Sequence, residues 1–282
     1  MESAKRGKRV EHAGHRDGTV GKALTVLDAV SAFGRPVRFV ELLGGSAYPK
    51  ATLYRLLQTL THQGMLAYDP ESQTYAPGLR LVRLAHTAWQ RASLAPIARD
   101  YLDALSRDVG ETVHLAQMDG GQVLYVDKRN ARIPVEMFAQ AGKTGPAYCT
   151  GVGKAMLAFH DPAARERLVA QQSFHAFMPN TLTDAGVLGH ELDTIRARGH
   201  AFDNEEHEAG IICVALPILS RSGRPIGGLS VSSTTARHGL DSLSTLVPRI
   251  DAAARKIATD AETWRFPEIE PDREKREPLC QD

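Results

Sequence analysis

Hydrophobic and polar positions separate onto two faces when residues 49–60, PKATLYRLLQTL, are wound as a helix. Leucines recur at i, i+3, i+4 and i+7 and form one aliphatic stripe, made of Leu53, Leu56, Leu57 and Leu60. The opposite face has small and hydrogen-bonding side chains, two cations and no acid: Lys50, Ala51, Tyr54, Arg55 and Gln58, with Thr52 at its border. We therefore expect a helix that is buried along one side and suited to a polyanion along the other.

The neighbouring segments predict a helix-turn-helix followed by a hairpin. A helical pattern over 19–33 comes first, with Val20, Ala23, Leu24, Leu27 and Val30 as its apolar positions. A short apolar helix at 39–43 then ends at Gly44-Gly45-Ser46, directly before the leucine-striped helix. Two β-prone runs at 65–68 and 73–76 follow Gly64. This order is typical of a winged helix-turn-helix, and a plain helical hairpin with a solvated face is the alternative.

In a helix-turn-helix the second helix enters the major groove, with its N-terminal residues at the base edges. We therefore predict a DNA-binding face made of Lys50, Thr52, Tyr54 and Arg55. Arg55 is the best candidate for a two-pronged contact to a base or a phosphate.

Helical spacing resumes at Leu79, and Pro96 should interrupt it because proline removes a backbone hydrogen bond. We predict a linker at 79–95, helical to about residue 92, whose apolar face suits dimerisation, and a second domain over 96–262. Strands are expected in this domain at 112–118, 122–128, 135–138, 213–218 and 226–232. Helices are expected at 96–109, 151–159, 162–169, 188–198 and about 243–259. Strands that pair as hairpins with helices at both ends predict an α+β domain with an antiparallel sheet.

Composition leaves room for two domains, since the chain has 282 residues of which 43% are hydrophobic. Apolar runs are too short to cross a bilayer, and the first residues do not resemble a signal peptide, so we expect a cytoplasmic protein without a membrane partner. The three cysteines are far apart, which predicts free thiols rather than disulfides or a zinc ribbon.

The net charge of +1 hides an excess of cations near the N-terminus, since residues 19–91 contain eight lysines and arginines against four acids. Residues 1–17 add further cations without hydrophobic periodicity and are expected to be a disordered arm. This arm either contacts phosphates or merely solubilises the chain. The segment 263–282 is rich in proline and charge, and a disordered tail is expected there.

Five segments in register resemble the IclR family of bacterial transcriptional regulators. They are PKATLYRLLQTL at 49–60, GETVHLA at 110–116, CTGVGKAML at 149–157, FDNEEHEAGIICVALPI at 202–218 and GGLSVS at 227–232. The resemblance covers about residues 19–257. It implies a winged helix-turn-helix, a linker helix and a GAF-like C-terminal domain that binds a small organic acid. It also implies a homodimer or tetramer that binds a double-stranded DNA operator and represses or activates nearby catabolic operons.

In that family, backbone N–H groups at the start of the helix with the GxGK motif hold the effector carboxylate. The corresponding residues are Gly151 and Val152, and a helix N-terminus suits an anion physically. The resemblance also points to Met137, Asp203, Cys213, Ser230 and Ser232 as effector-binding residues. The two serines alternate along one strand, so their hydroxyls should face the same side of the sheet.

One position departs from the family pattern. Gly145-Pro146 stands where other members often have a bulky apolar residue in the loop before the helix. The resemblance then implies a pocket that admits a larger acid, such as a sugar acid or an aromatic acid.

Plainer interpretations of these residues stay open. Cys213 can be a small buried hydrophobe, the two serines can bond the backbone, and Asp203 can belong to a solvated acidic loop at 203–208. His207 near these carboxylates lacks a second histidine at ligand spacing, so we expect no metal and no cofactor.

The sequence gives little support to the interpretation that the protein is an enzyme. GVGKA is not a Walker motif, because Tyr148 and Ala155 stand where glycine and Ser or Thr are required. Cys149 or Cys213 as a thiol nucleophile lacks a flanking signature. We therefore predict a regulator whose operator affinity depends on a bound acid. The alternatives are a small-molecule sensor whose helix-turn-helix contacts protein and, more remotely, a thiol-dependent enzyme.

Overall fold

The computed structural model of the chain describes residues 18–262, which divide into two compact units with the boundary between Thr87 and Ala88. The basic arm expected at 1–17 and the tail expected at 263–282 lie outside the described residues. Within 18–262, every helix is too short or too polar to cross a bilayer.

Between residues 18 and 78 the first unit contains three helices and a small antiparallel sheet with the strand order β1-β3-β2. The helices are α1 (Thr19–Ala32), α2 (Phe39–Gly45) and α3 (Lys50–His62), and the strands are β1 (Val37–Arg38), β2 (Leu66–Asp69) and β3 (Thr74–Pro77). β2 and β3 form the predicted hairpin. β1 was not predicted, because two residues are too few to show an alternating pattern.

The leucine stripe of α3 is confirmed as the centre of this unit's core. All four leucines are buried and pack with Val26, Leu27 and Val30 of α1 and with Leu42 of α2. The apolar face predicted for α1 was partly wrong, because Val20 and Leu24 are exposed and Val26 is buried instead. The predicted apolar positions and the observed buried positions of α1 both fit a period of 3.6 residues. The packing of α1 against α3 and β3 therefore decides which of these side chains are buried.

Gly64 ends α3 as the sequence predicts. Its φ of +69° lies in the left-handed region that favours glycine. The chain returns to this turn at Gly78, where an added Cβ would lie 2.3 Å from the Gly64 carbonyl oxygen. Two glycines thus let the start of the following helix close against the end of α3.

The helical stretch after residue 79 is interrupted as predicted. It consists of α4 (Leu79–Ala92) and α5 (Ala95–Val109), with Pro96 in the first turn of α5. The Gln117 amide fixes the connection, since its Nε2 donates to the Ala92 carbonyl at 3.1 Å and its Oε1 accepts from the Leu94 N–H at 2.9 Å.

The second unit is built on a six-stranded antiparallel sheet with the order β6-β5-β4-β9-β8-β7. The strands are β4 (Thr112–Asp119), β5 (Gln122–Arg129), β6 (Thr144–Pro146), β7 (Ala201–Asn204), β8 (Ile211–Leu219) and β9 (Pro225–Thr234). The remaining helices are α6 (Gly151–Phe159), α7 (Pro162–Ala170), α8 (Ala185–Arg198), α9 (Leu240–Ser244) and α10 (Val247–Ala261). One face of the sheet packs on α5 and α10, and the other packs on α6 and α8.

Two elements of the second unit differ from the prediction. Residues 135–138 form no strand, and the third strand is β6, in the segment predicted as a loop. In residues 135–138, Met137 is buried although it lies outside any strand. The Phe138 N–H donates to Glu208 Oε2 at 2.9 Å rather than to a neighbouring strand. The single helix predicted at 243–259 is divided into α9 and α10, with Pro248 in the first turn of α10.

Candidate functional site

The first turn of α6 forms one wall of a cavity in the second unit. The first N–H groups of any helix have no acceptor within the helix, and the Thr150 side chain, at the N-cap, does not cap them. Thr150 Oγ1 donates instead to the Pro146 carbonyl at 2.7 Å. The backbone N–H groups of Gly151 and Val152 are therefore suited to an anion at the positive end of the helix dipole.

Glycine is required where α6 meets the sheet and the preceding loop. A Cβ added at Gly151 would lie 2.4 Å from Cys213 Sγ, and one added at Gly153 would lie 2.4 Å from the Ala147 carbonyl oxygen. Real Cβ atoms do not approach other atoms this closely, so Gly151 lets the start of α6 lie directly on β8 and Gly153 lets it lie against the preceding loop.

The floor of the cavity consists of two adjacent rows of residues across the sheet. Asp203, Cys213 and Ser232 are partners in one row, and Ser230 and His114 are partners in the next row on the same face. Ser230 and Ser232 both line the cavity, which confirms that their hydroxyls face the same side of the sheet.

All seven residues predicted for the effector site line this one cavity, whose volume is about 40 Å³: Met137, Gly151, Val152, Asp203, Cys213, Ser230 and Ser232. This volume exceeds the ~10–15 Å³ that one buried water needs. Further lining residues were missed, among them His114, Tyr125, Phe138, Thr150, His207 and Glu208. His114 lies inside the GETVHLA segment, where a histidine in an otherwise apolar strand was an available signal.

Gly145 does not enlarge the cavity in the way the sequence suggested. An added Cβ at this position would lie 3.4 Å from ring atoms of both Phe138 and Tyr125. The two rings, which also line the cavity, therefore occupy the space that a larger side chain would take.

Asp203 is buried rather than part of a solvated loop, with a side chain that accepts from the Glu206 N–H at 2.9 Å. Burial, followed by the nearby Glu206 carboxylate, raises the pKa of Asp203 to about 7. The carboxyl group is consequently neutral in a substantial part of the molecules near neutral pH. A neutral carboxyl group in a cavity can donate a hydrogen bond to an anion.

A buried ion pair lies beside the cavity and was not predicted. Lys154 Nζ donates to Glu206 Oε1, and both side chains are almost fully buried. Burial raises the pKa of Glu206, and the Lys154 ammonium acts in the opposite direction. A lysine within the apolar run VGKAML was the available signal, since a buried lysine nearly always has an anionic partner.

His207 lies at the rim of the cavity between two aromatic rings. Its ring centroid is 4.7 Å from that of Phe138 and 4.7 Å from that of Phe177. Burial lowers the pKa of His207 and so favours the neutral imidazole, while the nearby Glu208 acts in the opposite direction. Among residues 18–262, no group of three or more His, Cys, Asp or Glu side chains is arranged to hold a metal ion.

The two described cysteines lack the features of a nucleophile. Cys149 and Cys213 are buried, and burial raises the pKa of both thiols above the ordinary value. Both thiols are therefore protonated at neutral pH.

A second candidate site is the outer face of α3 in the first unit. Lys50, Tyr54 and Arg55 are exposed, and Thr52 is half-buried. Within the described residues neither cation has a salt-bridge partner. A groove beside this face is lined by Lys50, Ala51 and Tyr54 of α3, by Arg38, Phe39 and Val40, and by Tyr68, Gln73 and Tyr75 of the hairpin. Arg38 was not singled out from the sequence.

Comparisons with known proteins match both units. The profile described as the IclR helix-turn-helix domain matches residues 19–70, and the one described as the bacterial transcriptional regulator IclR C-terminal domain matches residues 86–259. The HTH-type transcriptional regulator KdgR of Escherichia coli is 32% identical over 251 residues, which cover 88% of this chain and 95% of the relative.

Solved structures show the same likeness. The crystal structure of the Thermotoga maritima IclR has a TM-score of 0.68 and 29% identity, and covers 86% of this chain and 97% of that one. An IclR homolog from Microbacterium hydrocarbonoxydans, complexed with 4-hydroxybenzoate, has a TM-score of 0.74 over 87% of this chain and all of its own. Because the two sequences are only 21% identical, this likeness is evidence of a shared fold alone.

The relatives are transcriptional regulators and not enzymes. Both domain profiles match this chain, and the KdgR relative aligns with it over most of its length. The fold agrees, since a winged helix-turn-helix is followed by a domain with a six-stranded sheet. The chain therefore belongs to the IclR family of DNA-binding transcriptional regulators.

Proposed function

We propose that this regulator binds a double-stranded DNA operator through the outer face of α3 and that a small organic acid, bound in the cavity beneath α6, changes its affinity for that operator. The observation that carries the proposal is the cavity itself, in which the α6 N-terminus faces a polar sheet surface. The proposed domain limits are 18–78 for DNA binding, 79–95 for the linker and 96–262 for effector binding.

Exposed and unpaired cations support the DNA-binding face. Lys50 and Arg55 lie on the outer side of α3, while the four leucines hold its inner side in the core. Lys50, Thr52, Tyr54 and Arg55 are the proposed contacts. Arg38 lines the adjoining groove and is positioned for a further phosphate contact.

The chemistry of the cavity supports a carboxylate ligand. The N–H groups of Gly151 and Val152 donate to the carboxylate, the neutral form of Asp203 donates from the floor, and the hydroxyls of Ser230 and Ser232 bind other oxygens. Met137 and Cys213 supply apolar contacts. An acid as large as a sugar acid or an aromatic acid requires the segment around Phe138 to move, because the cavity volume is about 40 Å³. The solved homolog that is complexed with 4-hydroxybenzoate is a precedent for an aromatic acid in this fold.

A second copy of the chain is the proposed partner of α4. Leu79, Val82 and Leu84 are 86%, 64% and 49% exposed, so this helix offers an uncovered apolar surface. We propose a homodimer through this helix, or a tetramer built from two dimers. An effector changes DNA affinity only if it binds the DNA-competent and DNA-incompetent arrangements unequally, which typically corresponds to about 1–3 kcal/mol.

The test measures DNA binding by fluorescence anisotropy with the fragment upstream of the protein's own gene, with and without carboxylic acids, alongside the molar mass in solution. The proposal expects specific binding, a salt-dependent affinity, a dimer or tetramer, and at least one acid that changes affinity about 5- to 150-fold. A protein that binds no upstream fragment would favour a sensor that acts through protein contacts. If the protein binds DNA but its affinity responds to no acid, only the effector-binding part of the proposal is contradicted.

A further inference from the structure

His114 carries a buried ring nitrogen that forms no hydrogen bond of standard length and angle within residues 18–262. The side chain is 2% exposed in the middle of β4, and its ring is 5.6 Å from that of Tyr125. Nδ1 lies 3.3 Å from Ser232 Oγ, whereas Nε2 is buried without a hydrogen-bond partner among the described residues. Buried polar atoms are nearly always paired, so an unpaired ring nitrogen in the wall of a cavity indicates a ligand-binding group.

The position of His114 separates it from the anion-binding end of the cavity. The first residue of α6 lies over β8, because a Cβ at Gly151 would meet Cys213 and Ala215, and the next residue, Val152, lies against Gly228 of β9. His114 is on β4, and β9 lies between β8 and β4. Neighbouring strands are about 4.8 Å apart, so the backbone of His114 is roughly 10 Å across the sheet from the β8 backbone. A ligand held by its carboxylate at α6 therefore meets His114 with its other end.

Resting on the acid-binding function proposed above, we propose that His114 determines effector specificity by hydrogen-bonding a hydroxyl group remote from the carboxylate of the acid. The preferred ligand class is thus a hydroxylated acid rather than a plain fatty or aromatic acid.

The chemistry of the ring suits a neutral polar group. Burial, together with the nearby Lys128, lowers the pKa of His114 to about 3, while a hydrogen bond with the Ala139 backbone acts in the opposite direction. The ring is therefore neutral, with one donor and one acceptor nitrogen. The Ser232 hydroxyl contacts Nδ1 and can either donate to it or accept from it, so both tautomers are compatible with this contact. A hydroxyl group both donates and accepts, so it fits Nε2 in either tautomer, whereas a second carboxylate gains no opposite charge there.

The test compares matched acids that differ in hydroxyl groups, using calorimetry with the full-length protein. The pairs are 5-hydroxypentanoate and pentanoate, gluconate and hexanoate, and 4-hydroxybenzoate and benzoate, and each hydroxylated member has a hydroxyl group remote from its carboxylate. In the unmodified protein we expect at least one hydroxylated acid to bind about 10-fold or more tightly than its partner. In His114→Phe this ratio should fall to near 1, with the Kd of the plain acid changed by less than about 3-fold. His190→Phe, at an exposed histidine of α8, is the matched control and should keep the ratio.

A measurement on the unmodified protein covers the case in which His114→Phe does not fold. The ¹⁵N resonance of His114 Nε2 should shift when the hydroxylated acid binds and stay in place with the plain acid. Equal binding of both acids, or a ratio that survives in His114→Phe, would overturn the role of His114 and leave the acid site standing. If none of the six acids binds the unmodified protein, the acid site itself is wrong, and the role of His114 is wrong with it.

Discussion

Lys154 and Glu206 form an ion pair inside the effector domain, with side chains only 2% and 6% exposed. Removing one partner of a buried pair leaves an uncompensated charge and typically costs about 3–5 kcal/mol. We therefore expect Lys154→Met to lower the free energy of unfolding by about this amount. The double variant Lys154→Met/Glu206→Leu should recover most of the loss, since apolar residues of similar volume replace a buried pair at little cost. Urea denaturation followed by circular dichroism measures both.

The exposed pair Arg165–Asp193 is the matched control for this experiment. The Asp193 side chain is 69% exposed, so solvent screens its attraction to Arg165. Asp193→Ala should change the free energy of unfolding by less than about 1 kcal/mol. Equal effects of Lys154→Met and Asp193→Ala would show that the buried pair has no special role in stability.

The sequence predicted features that local periodicity determines. The leucine stripe of α3, the hairpin behind it and the break before Pro96 follow from spacing and from residue types with strong local preferences. The elements that it predicted wrongly depend on distant partners. Residues 135–138 have the pattern of a strand but bind the side chain of Glu208 instead, and the face of α1 depends on where α3 lies. No local signal gives either contact.

The residues in and beside the candidate cavity likewise divide into those that the sequence predicted and those that it did not. The family resemblance supplied seven lining residues, whereas His114, Lys154 and Glu206 emerge only when four strands and α6 are assembled. His114 and Lys154 share one signal, a polar residue inside an apolar run, whereas Glu206 lies in the acidic run at 203–208 and shows none. A single sequence shows such a residue without showing its partner.

Because of Asp203, both the stability of the protein and its affinity for an anionic acid should fall as the pH rises. Its pKa rises from the ordinary value of 3.8 to about 7 in the folded protein, through burial and then through Glu206, with Lys154 opposing and Glu208 adding to the shift. Between about pH 4 and pH 7 the folded state therefore binds more protons than the unfolded state. Stability then falls as pH rises through this range, by at most about 1.4 kcal/mol per pH unit, and this contribution is constant above it. The affinity for an anionic acid should likewise fall as Asp203 ionises.

Asp203→Asn should remove this pH dependence. The measurement is the difference between variant and unmodified protein at each pH from 4 to 8, since buried histidines such as His207 contribute in the opposite direction. Asp193→Asn, at an exposed aspartate, is the control for the loss of one carboxylate. A flat difference for Asp203→Asn would mean that Asp203 is already ionised at pH 4.

Arg55→Ala should weaken operator binding more than removal of a cation elsewhere. A guanidinium that reads guanine contributes about 1–3 kcal/mol, so the Kd should rise about 5- to 150-fold. If Arg55 contacts a phosphate instead, the slope of affinity against salt concentration should fall by about 1. Lys256→Ala, at an exposed position of α10, changes the net charge equally and should leave the affinity nearly unaltered. Anisotropy titrations between 50 and 200 mM KCl separate these cases, and an unchanged Kd and salt slope for Arg55→Ala would exclude α3 as the DNA-binding face.

Alanine at two helical glycines of the effector domain should have opposite effects. At Gly153 of α6 an added Cβ would lie 2.4 Å from a backbone oxygen of Ala147, which no side-chain rotation can relieve. The helix must then move away from the loop that precedes it, so Gly153→Ala should destabilise the domain and weaken acid binding at the α6 N-terminus. At Gly189 of α8 the nearest atom to an added Cβ is 3.9 Å away. Gly189→Ala should therefore stabilise the domain by up to about 1 kcal/mol, because alanine loses less conformational entropy in a helix. Thermal unfolding of the two variants gives the sign of each effect, and a stabilising Gly153→Ala would mean that α6 does not lie this close to residue 147.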